Sequence, residues 1–477
     1  MVDELRSQHP WFKYQASSWQ IVDGALQLNW QFFTEPDIQF APSMLIPLPN
    51  NSWQERLPTQ LIDQLVFHIG LIEMLSYWKA TASPFITIQA GYLSEEQLQW
   101  WHNLLLKSMS EYFYLNQINF TASDFVTLSC AGVKPDPINQ KKPEPNLNEN
   151  QQRFLVPIGG GKDSIVAMEL LRQWRQHEAE PVQPDQLTLF AVNPTAATKA
   201  VINQSGFPAI LVQRQLDPTL LKLNQQGYLN GHTPFSALLS FTSLLTAALY
   251  DFSSTILGNE QSANEGNTQY LKQTINHQYS KSFEYETAFH HYVKTQLQPK
   301  FTNKLPDYFS LLRPFNELQI ARIFSQQAEA YLPIFRSCNR GQATNTWCGE
   351  CAKCLFAYSI LFPFLGEQQM VSIFGQNLFN NEKLLPIALD LTGQTANKPF
   401  DCVGTFEESQ VAFYLSYHWY LEKQLEVPSM LTTLMENHLT NHAELKVIST
   451  RLLAQFNEEN LVPTFLSQFL KEVCALS

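Results

Sequence analysis

Val156-Pro157-Ile158-Gly159-Gly160-Gly161-Lys162-Asp163-Ser164 is the stretch that decides the fold. The apolar run Phe154 to Ile158 reads as a buried strand. Three glycines follow, and Ile165, Val166, Leu170, Leu171 and Trp174 then recur at helical spacing. Strand, glycine turn and helix start in that order form a cradle for phosphate. Glycine lets the backbone approach the anion, while the free N–H groups of the first helical turn face it with the positive end of the helix dipole. The P-loop of kinases and GTPases is excluded. That motif needs Gly-Lys followed by Ser or Thr, with another Gly five residues before the last, and Asp163 and Val156 hold those places here. Within the cradle Gly159, Gly160 and Gly161 supply backbone donors and Lys162 a cation for phosphate oxygens. Asp163 is suited to holding Mg²⁺, and the Ser164 hydroxyl can bond a phosphate.

Outward from the cradle, strands and helices alternate. The cradle helix is expected to reach about His177, followed by a strand over Gln186 to Val192, a short helix around Thr198 to Gln204 and a strand over Ala209 to Gln213. Pro234 to Tyr250 is uncharged and mostly apolar, broken by Ser236, Ser240, Thr242, Ser243 and Thr246. It reads as a buried crossover helix, since a membrane span needs about 20 residues of steadier hydrophobicity. Ser254 to Leu257 is another buried strand. This alternation implies an α/β fold with a doubly wound parallel sheet and ligands at the carboxyl ends of its strands, where Asn193 and Asn259-Glu260 sit.

The cradle domain is assigned to 153–330. Before it, 1–132 form an N-terminal α+β region, a candidate for substrate binding. There Trp19 to Phe33 alternates and turns at Asp23-Gly24 like a hairpin, Leu61 to Lys79 and Glu95 to Phe113 are helical, and Phe85 to Gln89 is a short strand. Tyr77, Trp78, Trp100, Trp101, Tyr112, Phe113 and Tyr114 read as core, and Glu73 and Lys79 as a solvated helix face. Residues 133–152, rich in Pro and Asn, read as a linker. A cysteine-rich segment occupies 331–365, and 366–477 are mostly helical.

The 477 residues suffice for two or three domains, and 44% hydrophobic content with 33 Phe argues against disorder. A net charge of −12 disfavours nucleic acid as the main partner. Met1 to Arg6 shows no charged-then-apolar signal pattern. The expectation is a soluble, cytoplasmic protein, bound to neither nucleic acid nor membrane. Its seven cysteines, four of them clustered, then point to metal rather than disulfides. Cys338, Cys348, Cys351 and Cys354 form C-x9-C-x2-C-x2-C, a spacing at which four thiolates can surround one Zn²⁺. With all four positions filled by Cys the metal would be structural. Redox-active or simply buried thiols are the alternative.

The cradle resembles the PP-loop, Ser-Gly-Gly-x-Asp-Ser, of the ATP pyrophosphatases, with Gly159 where that family usually has Ser. Those enzymes cleave ATP between the α- and β-phosphates. Arg313-Pro314-Phe315, followed by Ile320-Ala321-Arg322, is similar to their Arg-Pro-Leu segment, in which the Arg faces ATP phosphates; an Arg capping the neighbouring helix fits the spacing as well. The cysteine cluster is similar to the knuckle of the 7-cyano-7-deazaguanine synthases, so modification of a nucleobase or tRNA is a competing reading. A degenerate ATP-binding regulatory module is a third, opposed by the intact Lys162, Asp163 and Ser164.

Longer strings resemble one family closely: Gly227-Tyr228-Leu229-Asn230-Gly231-His232-Thr233-Pro234, Asn259-Glu260-Gln261-Ser262-Ala263-Asn264-Glu265-Gly266-Asn267, Asn276-His277-Gln278-Tyr279-Ser280-Lys281-Ser282-Phe283-Glu284, Tyr308-Phe309-Ser310-Leu311-Leu312-Arg313-Pro314 and Lys398-Pro399-Phe400-Asp401-Cys402-Val403-Gly404. It is the family of ATP-dependent UDP-N-acetylmuramoyl-L-alanyl-L-glutamate epimerases of peptidoglycan synthesis, and the likeness reaches about Glu408. Asp401 stands where Glu is expected. The resemblance implies inversion of the terminal glutamate of the muramoyl dipeptide, using ATP and Mg²⁺ and releasing AMP and diphosphate. Adenylation would mask the carboxylate charge that makes the α-proton hard to remove. On this reading Asn193, Asn259, Glu260 and Arg313 join the cradle at ATP, while Asn264, His277, Lys281, Glu284 and Arg340 meet the dipeptide substrate. His277, Lys281 and Cys402 are the candidates for moving protons. Lys162, Lys281, Arg313, Arg336 and Arg340 are expected to make the pocket locally positive.

Overall fold

The hairpin signalled by Trp19 to Phe33 is longer than its alternation. β1 (Trp11–Val22) and β2 (Ala25–Thr34) pair antiparallel through Asp23 and Gly24, at φ 48° and 75°, as a two-residue primed turn requires. On β2 Leu26, Leu28, Trp30 and Phe32 point inward at period two. β3 (Ile38–Phe40) and β4 (Ser43–Pro47) lie antiparallel along the other edge of β2. β5 (Phe85–Ile88) and β6 (Thr127–Cys130) extend the sheet in parallel beyond β1. The computed structural model describes residues 2–50, 53–134, 152–177, 186–298 and 304–476, so nearly all of the expected linker 133–152 lies outside the described residues.

β7 (Phe154–Pro157), β8 (Leu187–Val192), β9 (Ala209–Gln215) and β10 (Ser254–Leu257) follow as parallel strands. A small hairpin, β11 (Thr268–Tyr270) and β12 (Gln273–Ile275), stands apart, and β13 (Asp307–Ser310) pairs with β10 at the edge. Alternate side chains of these strands enter opposite cores. Leu155, Phe190 and Leu257 pack with the N-terminal region and the helix Phe235–Tyr250. Phe154, Val156, Leu189 and Ile256 pack with the helices Lys162–His177 and Glu317–Gln327. Because both faces are covered, the strands read in sequence as unbroken apolar runs.

The sheet does not stop at β9. β9 pairs antiparallel with β4, and among the described residues eleven strands run in the order β13-β10-β7-β8-β9-β4-β2-β1-β5-β6, with β3 on β2. The expected doubly wound parallel sheet is thus one end of a larger mixed one, which the N-terminal region completes. Beyond it the chain is helical, with Ala352–Phe374 interrupted at Gly366 and Phe406–Glu422 opened by a Thr405/Glu408 capping box. Among the described residues no helix is long and apolar enough to cross a membrane.

Tyr77, Trp78, Trp101, Tyr112 and Phe113 are buried as expected. Glu73 and Lys79 are not a solvated face. Glu73 is fully buried and accepts from Arg214 on β9 at 2.9 and 3.1 Å, while Lys79 donates to the Gly231 carbonyl at 2.8 Å. These partners lie more than a hundred residues away in sequence, so helical periodicity alone cannot show them. The Arg214–Glu73 pair binds the N-terminal helix to the parallel sheet. Arg214→Met should destabilise the fold by about 3–5 kcal/mol in urea unfolding, because it strands a buried carboxylate. Adding Glu73→Gln should recover part of that loss.

Candidate active site

β7 and β10 are neighbours, yet the chain leaves β7 toward β8 and returns to β10 on the other side. At such a switch point the loops after the two strands diverge and leave a crevice at their carboxyl ends. A cavity of about 290 Å³ lies there. One wall is the glycine turn. Gly160 has φ +85°, and a Cβ on it would sit 2.9 Å from the Thr198 nitrogen, so no larger residue fits. Ser164 Oγ accepts from the Gly159 N–H at 3.3 Å and donates to the Gly161 carbonyl at 3.1 Å, folding the turn over the start of the helix. The second wall follows β10. A Cβ on Gly258 would meet the Asp163 carbonyl at 2.9 Å, so glycine lets this loop touch the turn. Asn259 donates to Ser310 Oγ at 3.2 Å, and Glu260 is buried.

Gly159, Gly161, Asp163, Ser164, Asn259, Glu260, Lys281, Cys338 and Cys402, all singled out from sequence, line the cavity together. Lys162 does not. Its ammonium is buried and paired with Asp163 and with Glu317, at the start of the helix Glu317–Gln327. Burial opposes its charge, but the two carboxylates outweigh burial and hold its pKa above the usual lysine range. Asp163 shows the complementary balance: burial raises it, and Lys162, then Lys353 and Lys281, bring it below the ordinary value. Glu260 is raised, by burial first and then by Asp163.

Arg313 is also absent from the cavity wall. It is fully buried, donating to Glu286 at 2.7 and 3.2 Å and to the backbone carbonyls of Glu260 at 2.5 Å and Lys281 at 2.7 Å. It therefore fixes the two loops that carry cavity residues. Asn193, at φ 47°, exchanges side-chain hydrogen bonds with the Arg214 backbone across the ends of β8 and β9. Asn264 is exposed and accepts from the Phe283 N–H, Glu284 is exposed and pairs with Lys107, and Arg340 is exposed. None of these four lines the cavity.

The third wall carries the thiol. Lys281 Nζ donates to Cys402 Sγ at 3.3 Å, and Lys353 Nζ donates to the Cys402 carbonyl. Burial would raise the Cys402 pKa, but Lys281, Lys353 and a hydrogen bond from His277 bring it well below the usual thiol range. His277 is the other half of the pair: burial lowers it, and Cys402 and Glu111 push it up to about 9. Both shifts favour the thiolate–imidazolium form of the pair. Lys353 and Arg336 complete the positive lining, and Arg336 Nε is buried with no hydrogen-bond partner among the described residues. Lys353 was masked in sequence by its place between Cys351 and Cys354. Glu111 and Glu317 carry no local signal, because their partners are distant in the chain.

Cys338 and Cys351 Sγ are 3.8 Å apart, Cys348 and Cys354 Sγ 3.6 Å, and all four sulfurs lie within 4.8 Å of one another. A tetrahedron with Zn–S bonds of about 2.3 Å has edges of about 3.8 Å, so the set could hold a metal ion such as zinc.

Fold and site together define an α/β protein in which a glycine turn at a sheet switch point and the Cys402 thiol line one cavity. The chain belongs to the MurL family: the model of the MurL N-terminal domain matches residues 3–311 and that of the MurL C-terminal domain residues 334–445. Relatives include proteins named UDP-N-acetyl-alpha-D-muramoyl-L-alanyl-L-glutamate epimerase. That of Salinispora tropica is 32% identical over 85% of this chain and 84% of its own length. Those of a Micromonospora species and of Xanthomonas oryzae pv. oryzae are 32% identical over 80% of this chain and 81% of the relative, and 31% identical over 74% of each.

Elemental analysis of the purified protein should find one bound metal ion per chain at the four cysteines. Cys351→Ser should lower both that content and the melting temperature; an unchanged metal content would remove these sulfurs as ligands.

Proposed function

We propose that this chain inverts the terminal L-glutamate of UDP-N-acetylmuramoyl-L-alanyl-L-glutamate to D-glutamate, with ATP cleaved to AMP and diphosphate, in the making of peptidoglycan precursors. The observation that carries the reading is that Cys402, held as a thiolate, lines the same cavity as the glycine turn at the N-terminus of the helix Lys162–His177. The names of the relatives supply the substrate. The turn is read as a PP-loop.

On this reading the ATP phosphates rest on the backbone N–H groups of Gly159 to Gly161 and on Ser164. Arg336, with its unpartnered buried Nε, and Lys353 offer further donors for an anion. Asp163 and Glu260, two carboxylates that raise each other's cost of ionising, fit as holders of Mg²⁺, which would offset phosphate charge. The four cysteines would hold a structural Zn²⁺.

A glutamate α-carboxylate oxygen attacks the α-phosphorus, diphosphate leaves, and an acyl-adenylate forms. The carboxylate charge is now masked, so the α-carbon can lose a proton without producing a dianion. The Cys402 thiolate takes that proton, and the Lys281 ammonium, 3.3 Å from its sulfur, is placed to stabilise the negative charge that moves onto the carbonyl oxygen. A proton returns to the opposite face, and water then attacks the acyl carbon, breaking its bond to the bridging oxygen, so that AMP leaves with that oxygen and the D-glutamyl carboxylate is restored. Lys162 acts from beneath, holding Asp163 ionised through their pair.

Incubation of the protein with UDP-N-acetylmuramoyl-L-alanyl-L-glutamate, ATP and Mg²⁺, followed by chiral analysis of the glutamate, should yield the D isomer only when ATP is present. D-Glutamate formed equally without ATP would overturn the coupling, and none in either case would overturn the activity. Cys402→Ala should slow exchange of the α-proton with deuterated solvent by about 10²-fold or more, and by much more than it slows diphosphate release.

A further inference from the structure

His277 does not line the cavity; it hydrogen-bonds Cys402, which does, and its Nδ1 meets Glu111 Oε2 at 2.5 Å. Glu111 comes from a different part of the molecule. It lies 166 residues before His277, in the short helix Ser110–Leu115 of the N-terminal region, where Tyr112 and Phe113 anchor that helix in the core. The carboxylate is buried. His232 flanks the pair, its Nδ1 3.6 Å from the same Glu111 oxygen and its ring centroid 4.6 Å from that of His277. Burial and His277 push His232 down to about 4, so it is uncharged at neutral pH and leaves Glu111 to its neighbour. The Asn267 side chain accepts from the His277 backbone N–H at 2.8 Å, fixing the backbone beneath the ring.

We infer that Glu111 is a positioning residue, holding the His277 ring against Cys402 and thereby preparing the thiol that faces the cavity. Three groups are then linked in the order thiol, imidazole, carboxylate, with the thiol alone on the cavity wall. The carboxylate favours the charged ring, and the charged ring favours the thiolate. The helix that supplies the carboxylate belongs to the N-terminal region, which in this way takes part in the carbon-acid half of the reaction. The charged and titratable groups facing His277 are Glu111, Cys402, His232 and Asp401, with Lys281 reaching Cys402 as well. This inference rests on the epimerase reading for its kinetic consequences, but not for its effect on thiol reactivity.

The sign follows from the paired charges. His277 is pushed up to about 9, so the imidazolium persists below that pH and is lost above it. Glu111→Gln keeps the shape and removes the charge, which lowers the His277 pKa and raises that of Cys402. The alkaline limb of the pH profile for D-glutamate formation should move to lower pH. The maximal rate should fall by about 10²-fold or more, by analogy with the loss of a carboxylate behind a catalytic imidazole, and at least tenfold further than diphosphate release falls. KM should change little. Glu111→Asp retains the charge and should bring the limb back toward its wild-type position.

Alkylation of Cys402 by iodoacetamide, followed by peptide mass spectrometry across pH, reads the thiolate directly and needs no substrate. Glu111→Gln should slow that alkylation at pH 6 by at least about tenfold, since a weaker imidazolium leaves fewer thiolates. Unchanged alkylation and an unmoved alkaline limb would overturn the inference, as would equal losses of diphosphate release and epimerisation, the mark of a merely structural residue. Absence of D-glutamate with the wild-type protein would instead overturn the epimerase reading, while the alkylation result would still decide the role of Glu111.

Discussion

Arg313, without exposed surface, pairs with an equally buried Glu286 and spends its remaining donors on the backbone carbonyls of Glu260 and Lys281. Everything about the cavity depends on this contact. Glu260 follows β10 and borders the glycine turn; Lys281 precedes the helix Phe283–Tyr292 and reaches the Cys402 thiol. Taking an ion pair fully out of water is expensive and adds little net stability by itself. It does impose geometry, because a planar guanidinium has fixed donor directions that fewer partners would leave unmet. The glycine-turn side and the thiol side of the cavity are therefore set at one spacing.

The charge pattern follows the same logic. The chain is acidic overall, at −12, yet Lys281, Lys353 and Arg336 converge on the cavity wall. Asp163, Glu260 and Glu317 surround a single buried ammonium, Lys162; burial first, and then the neighbouring carboxylates, push Glu317 up while Lys162 stays charged. Across the cavity the balance reverses, and cations outnumber the one thiol they surround. Opposite electrostatic settings in one small space suit two chemical tasks, an anion held on the backbone and a proton taken by sulfur. On the proposed reading these are successive steps, since masking a carboxylate is what makes the neighbouring carbon acidic enough for a thiolate.

Much of this was legible in the residues, and the exceptions share a cause. β7, β8 and β10 stand out as apolar runs because both of their faces are covered, and the Gly-Gly-Gly turn marks the end of β7. β4 is short and lies among prolines, and nothing local shows that it joins β9 to the N-terminal hairpin. Cys402, Lys281 and Asp163 could be singled out by type and context. Lys162 and Arg313 carry the right charge, but their destinations depend on Glu317 and Glu286, and a helix start or helix face in sequence does not reveal which carboxylate will lie beneath it. Glu111 is the extreme case, sited among aromatic core residues and meeting its histidine only once the N-terminal region is folded against the sheet.

The central claim is that the two halves of the cavity act on one carboxyl group, first joining it to the α-phosphate of ATP and then exploiting the loss of its charge. Substrate labelled with ¹⁸O in the α-carboxylate of the terminal glutamate tests this most directly, by mass spectrometry of the AMP released during turnover. The account predicts one labelled oxygen in each AMP formed together with D-glutamate. Unlabelled AMP accompanying the same yield of D-glutamate would contradict it.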